Sequence, residues 1–114
     1  MIINKKVIIC TTIKNESRNL QKFFNKIDSL IHEFKDYHVV FVESDSTDDS
    51  LNNINNYLKN RKGNLIKKDF FETFNRIHKL EICRNKYLEY IKKNPLIYNF
   101  DYLIVMDADG VNNQ

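Results

Sequence analysis

The chain has 114 residues, enough for one domain with a buried core and too few for two. Lysine and arginine total 18 against 15 aspartates and glutamates, a small excess spread along the chain, so no basic footprint for nucleic acid is present. No apolar run has the length of a membrane span and residues 1–6 lack a signal-peptide core; the two cysteines lack the spacing of a metal knuckle or redox pair, so the chain reads as soluble, cytoplasmic and reduced.

Residues 5–12 contain Val7, Ile8, Ile9 and Cys10 in succession, which predicts a first strand buried on both faces. From residue 16 to 34 the apolar period lengthens: Leu20, Phe23, Phe24, Ile27, Leu30, Ile31 and Phe34 form one stripe at helical spacing. That predicts a helix over 16–34. A second unbroken run, Val39, Val40, Phe41 and Val42, predicts a strand over residues 37–43. It breaks off after Glu43 into Ser44-Asp45-Ser46-Thr47-Asp48-Asp49-Ser50, short polar side chains suited to capping a helix, with Ser46 and Asp49 resembling a capping box.

Leu51, Ile54, Tyr57 and Leu58 predict that second helix, with Arg61, Lys62 and Gly63 as its C-terminal signature. Leu65 and Ile66 then predict a short third strand, marked as a sheet edge by Lys67 and Lys68. Residues 69–73 carry no clear pattern. A long helix follows from about residue 75 to 94, stopped by Pro95. Finally Leu103, Ile104, Val105 and Met106 predict a fourth strand buried on both faces, which runs into Asp107-Ala108-Asp109-Gly110.

Strands and helices in alternation predict an α/β fold, a Rossmann-like parallel sheet with helices on both faces and one domain spanning residues 1–114. Right-handed crossovers give the strand order 3-2-1-4, with the lysine-marked strand at an edge. Ligands in such sheets bind beyond the carboxyl ends of the strands where the winding reverses. That places Thr11, Thr12, Glu43, Ser44, Asp107 and Asp109 around one crevice.

Two carboxylates one residue apart at a strand end suit a divalent cation that also holds phosphate oxygens. An Asp-Gly turn closing the strand is the structural alternative. Asp48 and Asp49 are assigned to the helix start, where a carboxylate is stabilised by free N–H groups. Glu43 suits either a local structural role or recognition of a base. Arg84, seven residues from both Ile77 and Ile91, is placed on their helix face and there calls for an acid or a bound anion. Arg18 and Arg76 are weaker candidates, and His32, His38 and His78 lack ligand spacing.

Together these residues resemble the nucleotide-binding half of a GT-A glycosyltransferase. Thr11-Thr12-Ile13-Lys14-Asn15-Glu16 resembles the segment after that family's first strand. Val42-Glu43-Ser44-Asp45-Ser46-Thr47-Asp48 resembles its acidic second strand end, and Asp107-Ala108-Asp109 its metal-binding DxD motif. With Arg76-Ile77 and the stretch from Leu80 to Arg84-Asn85, the pattern is most similar to fungal cap-associated mannosyltransferase-like proteins. The resemblance implies a nucleoside-diphosphate-sugar donor and Mn²⁺ or Mg²⁺ on Asp109 and Asp107. It also implies nucleoside contacts from Thr11, Thr12 and Glu43, with Arg84 near the diphosphate. Glu43-Ser44 departs from the Asp pair that relatives often carry. In the family the acceptor site and the base of inverting enzymes follow the DxD strand. Both are therefore expected beyond Gln114, the acceptor half being absent here or supplied by a partner chain or oligomer.

Two other readings stand beside this one. Val105-Met106-Asp107-Ala108-Asp109-Gly110-Val111 also resembles the nucleophile motif of haloacid-dehalogenase-type phosphatases, although there the motif follows the first strand. A nucleotide-sugar-binding or interaction module without turnover is the non-enzymatic alternative. A phospho-receiver domain is disfavoured because the first strand ends in Thr11-Thr12 rather than acids.

Overall fold

The computed structural model describes residues 3–68 and 76–108, without the side chains of residues 76–78. Seven elements follow one another: β1 (Ile3–Ile13), α1 (Ser17–Ile31), β2 (Phe34–Glu43), α2 (Ser50–Leu58), β3 (Gly63–Lys67), α3 (Arg76–Lys93) and β4 (Tyr102–Val105). The four strands form one parallel sheet in the order β3-β2-β1-β4, as the crossover argument requires. No helix among the described residues is long and apolar enough to cross a membrane.

Side-chain alternation divides the core into two layers. Val7, Ile9, Ile13, Val39 and Phe41 face α1 and α2, meeting Leu20, Phe23, Phe24, Ile27, Ile31, Ile54 and Tyr57. Ile8, Cys10, Val40 and Val42 point the other way, toward Cys83 and Tyr87 of α3 and toward Ile97. Both cysteines are free and buried, and burial pushes the Cys10 thiol up to about 12. The central pair β1 and β2 therefore needs apolar residues at every position, which is why both read as unbroken runs.

Several boundaries move. α1 ends at Ile31 rather than 34, because the chain turns through His32 and Glu33, and Phe34 opens β2 instead of closing the helix. The Ile3 amide donates to the Glu33 carbonyl, so both central strands start earlier than their apolar cores. α2 begins at Ser50 with Asp49 in the cap position and no side-chain cap bond. The Ser46–Asp49 capping box is thus absent, and Ser46 is engaged elsewhere. Gly63 is not a left-handed helix cap, since no described glycine has positive φ; it opens β3, where a Cβ would lie 2.5 Å from the Val39 carbonyl oxygen.

β4 is the largest departure. Its four residues pair with β1 alone, and Leu103 and Val105 are 47% and 51% exposed, so it is an edge strand and not one buried on both faces. Ile104 and Met106 do pack on the α1 layer. On the opposite face α3 lies over β1 and β2, and Leu103 and Val105 stay largely exposed.

A polar cluster ties α3 to the sheet near its other end. The Tyr90 hydroxyl bonds to Asn64 Oδ1, His38 Nε2 lies 3.2 Å from the same oxygen, and Asn94 Nδ2 donates to the Tyr90 hydroxyl at 3.2 Å. Burial holds the His38 imidazole below its ordinary 6.5, against the opposing pull of Asn64 and Asp36; Lys62 adds to the lowering. A proton therefore binds more readily in the unfolded chain, so stability is complete above pH 6.5 and falls as the pH drops toward the folded-state value. Chemical denaturation of the wild type and His38→Gln between pH 7 and 5 should show this loss only in the wild type. Parallel curves would remove His38 as its source.

Candidate functional site

The carboxyl ends of the strands carry two loops that interlock. The first, from β1 to α1, contains Asn15 with φ 51°; the second, from β2 to α2, contains Asp45 with φ 53°, left-handed conformations that Asn and Asp tolerate better than most residues. The Asn15 amide donates to Ser46 Oγ at 3.0 Å. Its side-chain Oδ1 accepts from the backbone N–H groups of Thr47 at 2.7 Å and Asp48 at 3.3 Å. In return Asp48 accepts from the Ser17 amide at 3.1 Å and, through its other oxygen, from the Ser50 amide at 2.9 Å. Burial pushes the Asp48 carboxyl up, but the combined bonds from Ser50 and Ser17 outweigh it and hold it at about 2. Asp48 is thereby committed to the loops, the structural role expected of it, although it precedes the helix instead of lying in its first turn.

Glu43 ends β2 beneath these loops and is 1% exposed. Its Oε1 accepts the Ser46 N–H at 2.8 Å. Its Oε2, and the Oγ of the wholly buried Thr11, have no hydrogen-bond partner among the described residues. Unpaired buried polar atoms of this kind are uncommon and costly. Thr11 and Glu43 continue the alternation of Ile9 and Phe41, which places both on the α1 side of the sheet.

Asp107 lies on the other side. Extending the β1–β4 register past Cys10 and Val105 brings it opposite Thr12, on the α3 face. Arg84 belongs to the same side. The apolar line of α3 is Cys83 and Tyr87, with Tyr90 and Ile91 beside it, so Arg84 sits on an exposed flank and not within the stripe that its spacing suggested. Burial raises the Tyr87 phenol's pKa, Cys10 adds to the rise, Arg84 opposes it and Asp107 adds a further small rise. Neither Arg84 nor Asp107 forms an ion pair or hydrogen bond with another described residue.

The predicted crevice thus splits into two parts: Thr12, Ser44 and Asp107 on the α3 face, where Arg84 also lies, and Thr11 and Glu43 on the α1 face under the loops. Asp109 lies outside the described residues. Sequence reasoning missed Asn15 and Tyr87. An Asn between Lys14 and Glu16, just past a strand, was the available signal for the first, since Asn favours left-handed turn positions; Tyr87 looked like ordinary core.

A parallel sheet in the order 3-2-1-4 with helices on both faces is a Rossmann-like arrangement, consistent with the GT-A fold. The chain belongs to glycosyl transferase family 2, whose model matches residues 8–114. No curated protein matches it. The family match makes it a glycosyltransferase domain and identifies glycosyl transfer as its chemistry.

Proposed function

We propose that the chain binds a nucleoside-diphosphate sugar at the carboxyl rim of the sheet and serves transfer of the sugar to an acceptor. The observation that carries this reading is an exposed carboxylate, Asp107, and an exposed guanidinium, Arg84, both on the α3 side of the sheet and neither bonded to another described residue. They do not neutralise each other by contact, and the arrangement suits a ligand that is itself an anion carrying a cation. Thr12 lies opposite Asp107 when the β1–β4 register is extended. Thr11 and Glu43 supply a hydroxyl and a carboxylate oxygen with bonding capacity to spare, suited to the nucleoside.

Asp107 fits a hard divalent ion, its carboxylate being exposed and unpaired. Among the described residues no group of three or more His, Cys, Asp or Glu could hold one, so Mn²⁺ or Mg²⁺ would rest on Asp107, Asp109 and the diphosphate itself, a sparse set that Mg²⁺ accepts. When bound, such an ion supplies charge stabilisation to the departing diphosphate. Arg84 would act toward the same charge from α3. The finer resemblance to mannosyltransferase-like proteins makes a mannose donor the first sugar to test.

Melting with UDP or GDP and Mn²⁺ tests the site. At a hundred times its dissociation constant the nucleotide should stabilise the fold by about 2.7 kcal/mol, and Asp109→Ala should abolish the gain. If neither nucleotide moves the melt, with or without metal, the donor site is not here. Consumption of the sugar nucleotide separates an enzyme from a binding module.

A further inference from the structure

Glu43 is an unusual base-site residue because its carboxylate is already half used. One oxygen holds the Ser46 N–H at 2.8 Å, while the other is buried and unpaired among the described residues. What fixes which oxygen is free is not β2 but the loop, since the donor N–H belongs to Ser46, three residues past the strand. Ser46 is held in turn by Asn15, whose amide donates to Ser46 Oγ while its side-chain carbonyl grips Thr47 and Asp48. The Ser44 amide reaches the Ile13 carbonyl at 3.0 Å, so the start of this connection is pinned to β1 and its later residues to the β1–α1 loop. Asn15 itself is exposed and far along the chain from the residue it steadies.

We infer that Asn15 is a positioning residue for the nucleoside subsite, acting through Ser46 to hold Glu43 with Oε2 free. The inference rests on the donor-site reading given above. Two features of Asn15 are needed together: an acceptor oxygen on a short side chain, and tolerance of positive φ. Aspartate keeps both, glycine keeps only the second. With the acceptor gone, Thr47 and Asp48 lose their partner, Ser46 gains freedom, and Oε1 and Oε2 become interchangeable. Binding then carries the cost of ordering the carboxylate each time.

The test measures UDP and GDP affinity with Mn²⁺ by calorimetry for wild type, Asn15→Gly, Asn15→Asp, Ser46→Ala and Glu43→Gln. It adds the double variant Asn15→Gly with Glu43→Gln. Asn15→Gly should weaken the better nucleotide about tenfold, as expected for a lost hydrogen-bond network member, and Asn15→Asp should recover most of that loss. Ser46→Ala, which keeps the Ser46 N–H but breaks its link to Asn15, should weaken binding in the same direction. In the Glu43→Gln background Asn15→Gly should add almost nothing, because the residue it steadies no longer presents a carboxylate. Equal loss in both backgrounds would overturn the positioning role, as would Asn15→Asp behaving like Asn15→Gly. A wild type that binds neither nucleotide sinks the donor-site reading and this inference together. Non-additive variants on a binding wild type support it, and additive ones remove this inference alone.

Discussion

Phe41→Ala is expected to lower the free energy of unfolding by about 4 kcal/mol, the range for removing a fully buried aromatic ring. Phe41 has no exposed surface and sits on β2, an interior strand. Its ring meets Phe24 of α1 and Tyr57 of α2 edge-on, each with centroids 6.0 Å apart, and those two rings stack on each other at 4.1 Å. Arg61 lies over the outer face of Tyr57 at 4.0 Å and bonds to Asp28, which also accepts the Tyr57 hydroxyl at 2.8 Å. The trio thus cannot close around a void without disturbing the α1–α2 contact. A domain of this size has only about 5–15 kcal/mol to lose, so the variant should unfold at much lower urea. A loss under about 1 kcal/mol would mean that the neighbours collapse into the space, and that the three rings do not act as a unit.

Gly63→Ala should cost about 3 kcal/mol, the upper part of the usual range for overpacking. The added methyl would lie 2.5 Å from the Val39 carbonyl oxygen and 2.7 Å from Leu58 Cδ2. Leu58 can rotate away. The Val39 carbonyl cannot, because its residue is paired with Gly63 in the β2–β3 ladder and its own amide is bonded to Lys62 at 3.0 Å. Relief therefore requires β3 to move off β2 at its first residue. Urea titration gives the magnitude, and faster amide exchange confined to residues 63–67 would locate it. A change within about 0.5 kcal/mol, the size of an ordinary surface substitution, would show that the strand start gives way freely.

Most of the architecture was legible in the sequence because its physics is local. Helical spacing from Leu20 to Ile31 and unbroken runs in β1 and β2 each reflect what faces a residue from one neighbouring layer. The lysines after Ile66 placed β3 at the edge, and the crossover rule then fixed the order. Strand starts were not legible, since Asn4, Lys35 and Asp36 look like loop residues while lying on the solvated ends of β1 and β2.

The errors of placement concern which neighbour an element finds. β4 carries the same kind of apolar run as β1, yet no helix covers Leu103 and Val105. In α3 the spacing of Ile77, Arg84 and Ile91 suggested one face, but the line through Cys83 and Tyr87 is the one that meets the sheet, with Ile91 packed beside it and Arg84 left outside. Of the site, residue types at the rim were readable and their division between two faces follows from register alone. The loop clasp was not readable: its bonds join residues 31 to 34 positions apart, and only the fold brings them together.

The unequal depth of the two layers has a mechanical consequence. α1 anchors five side chains in the interior, whereas α3 contributes Cys83 and Tyr87 among its described side chains. Regions with fewer interior contacts open at lower free energy. The backbone amides of α3 are therefore expected to exchange with solvent before those of α1.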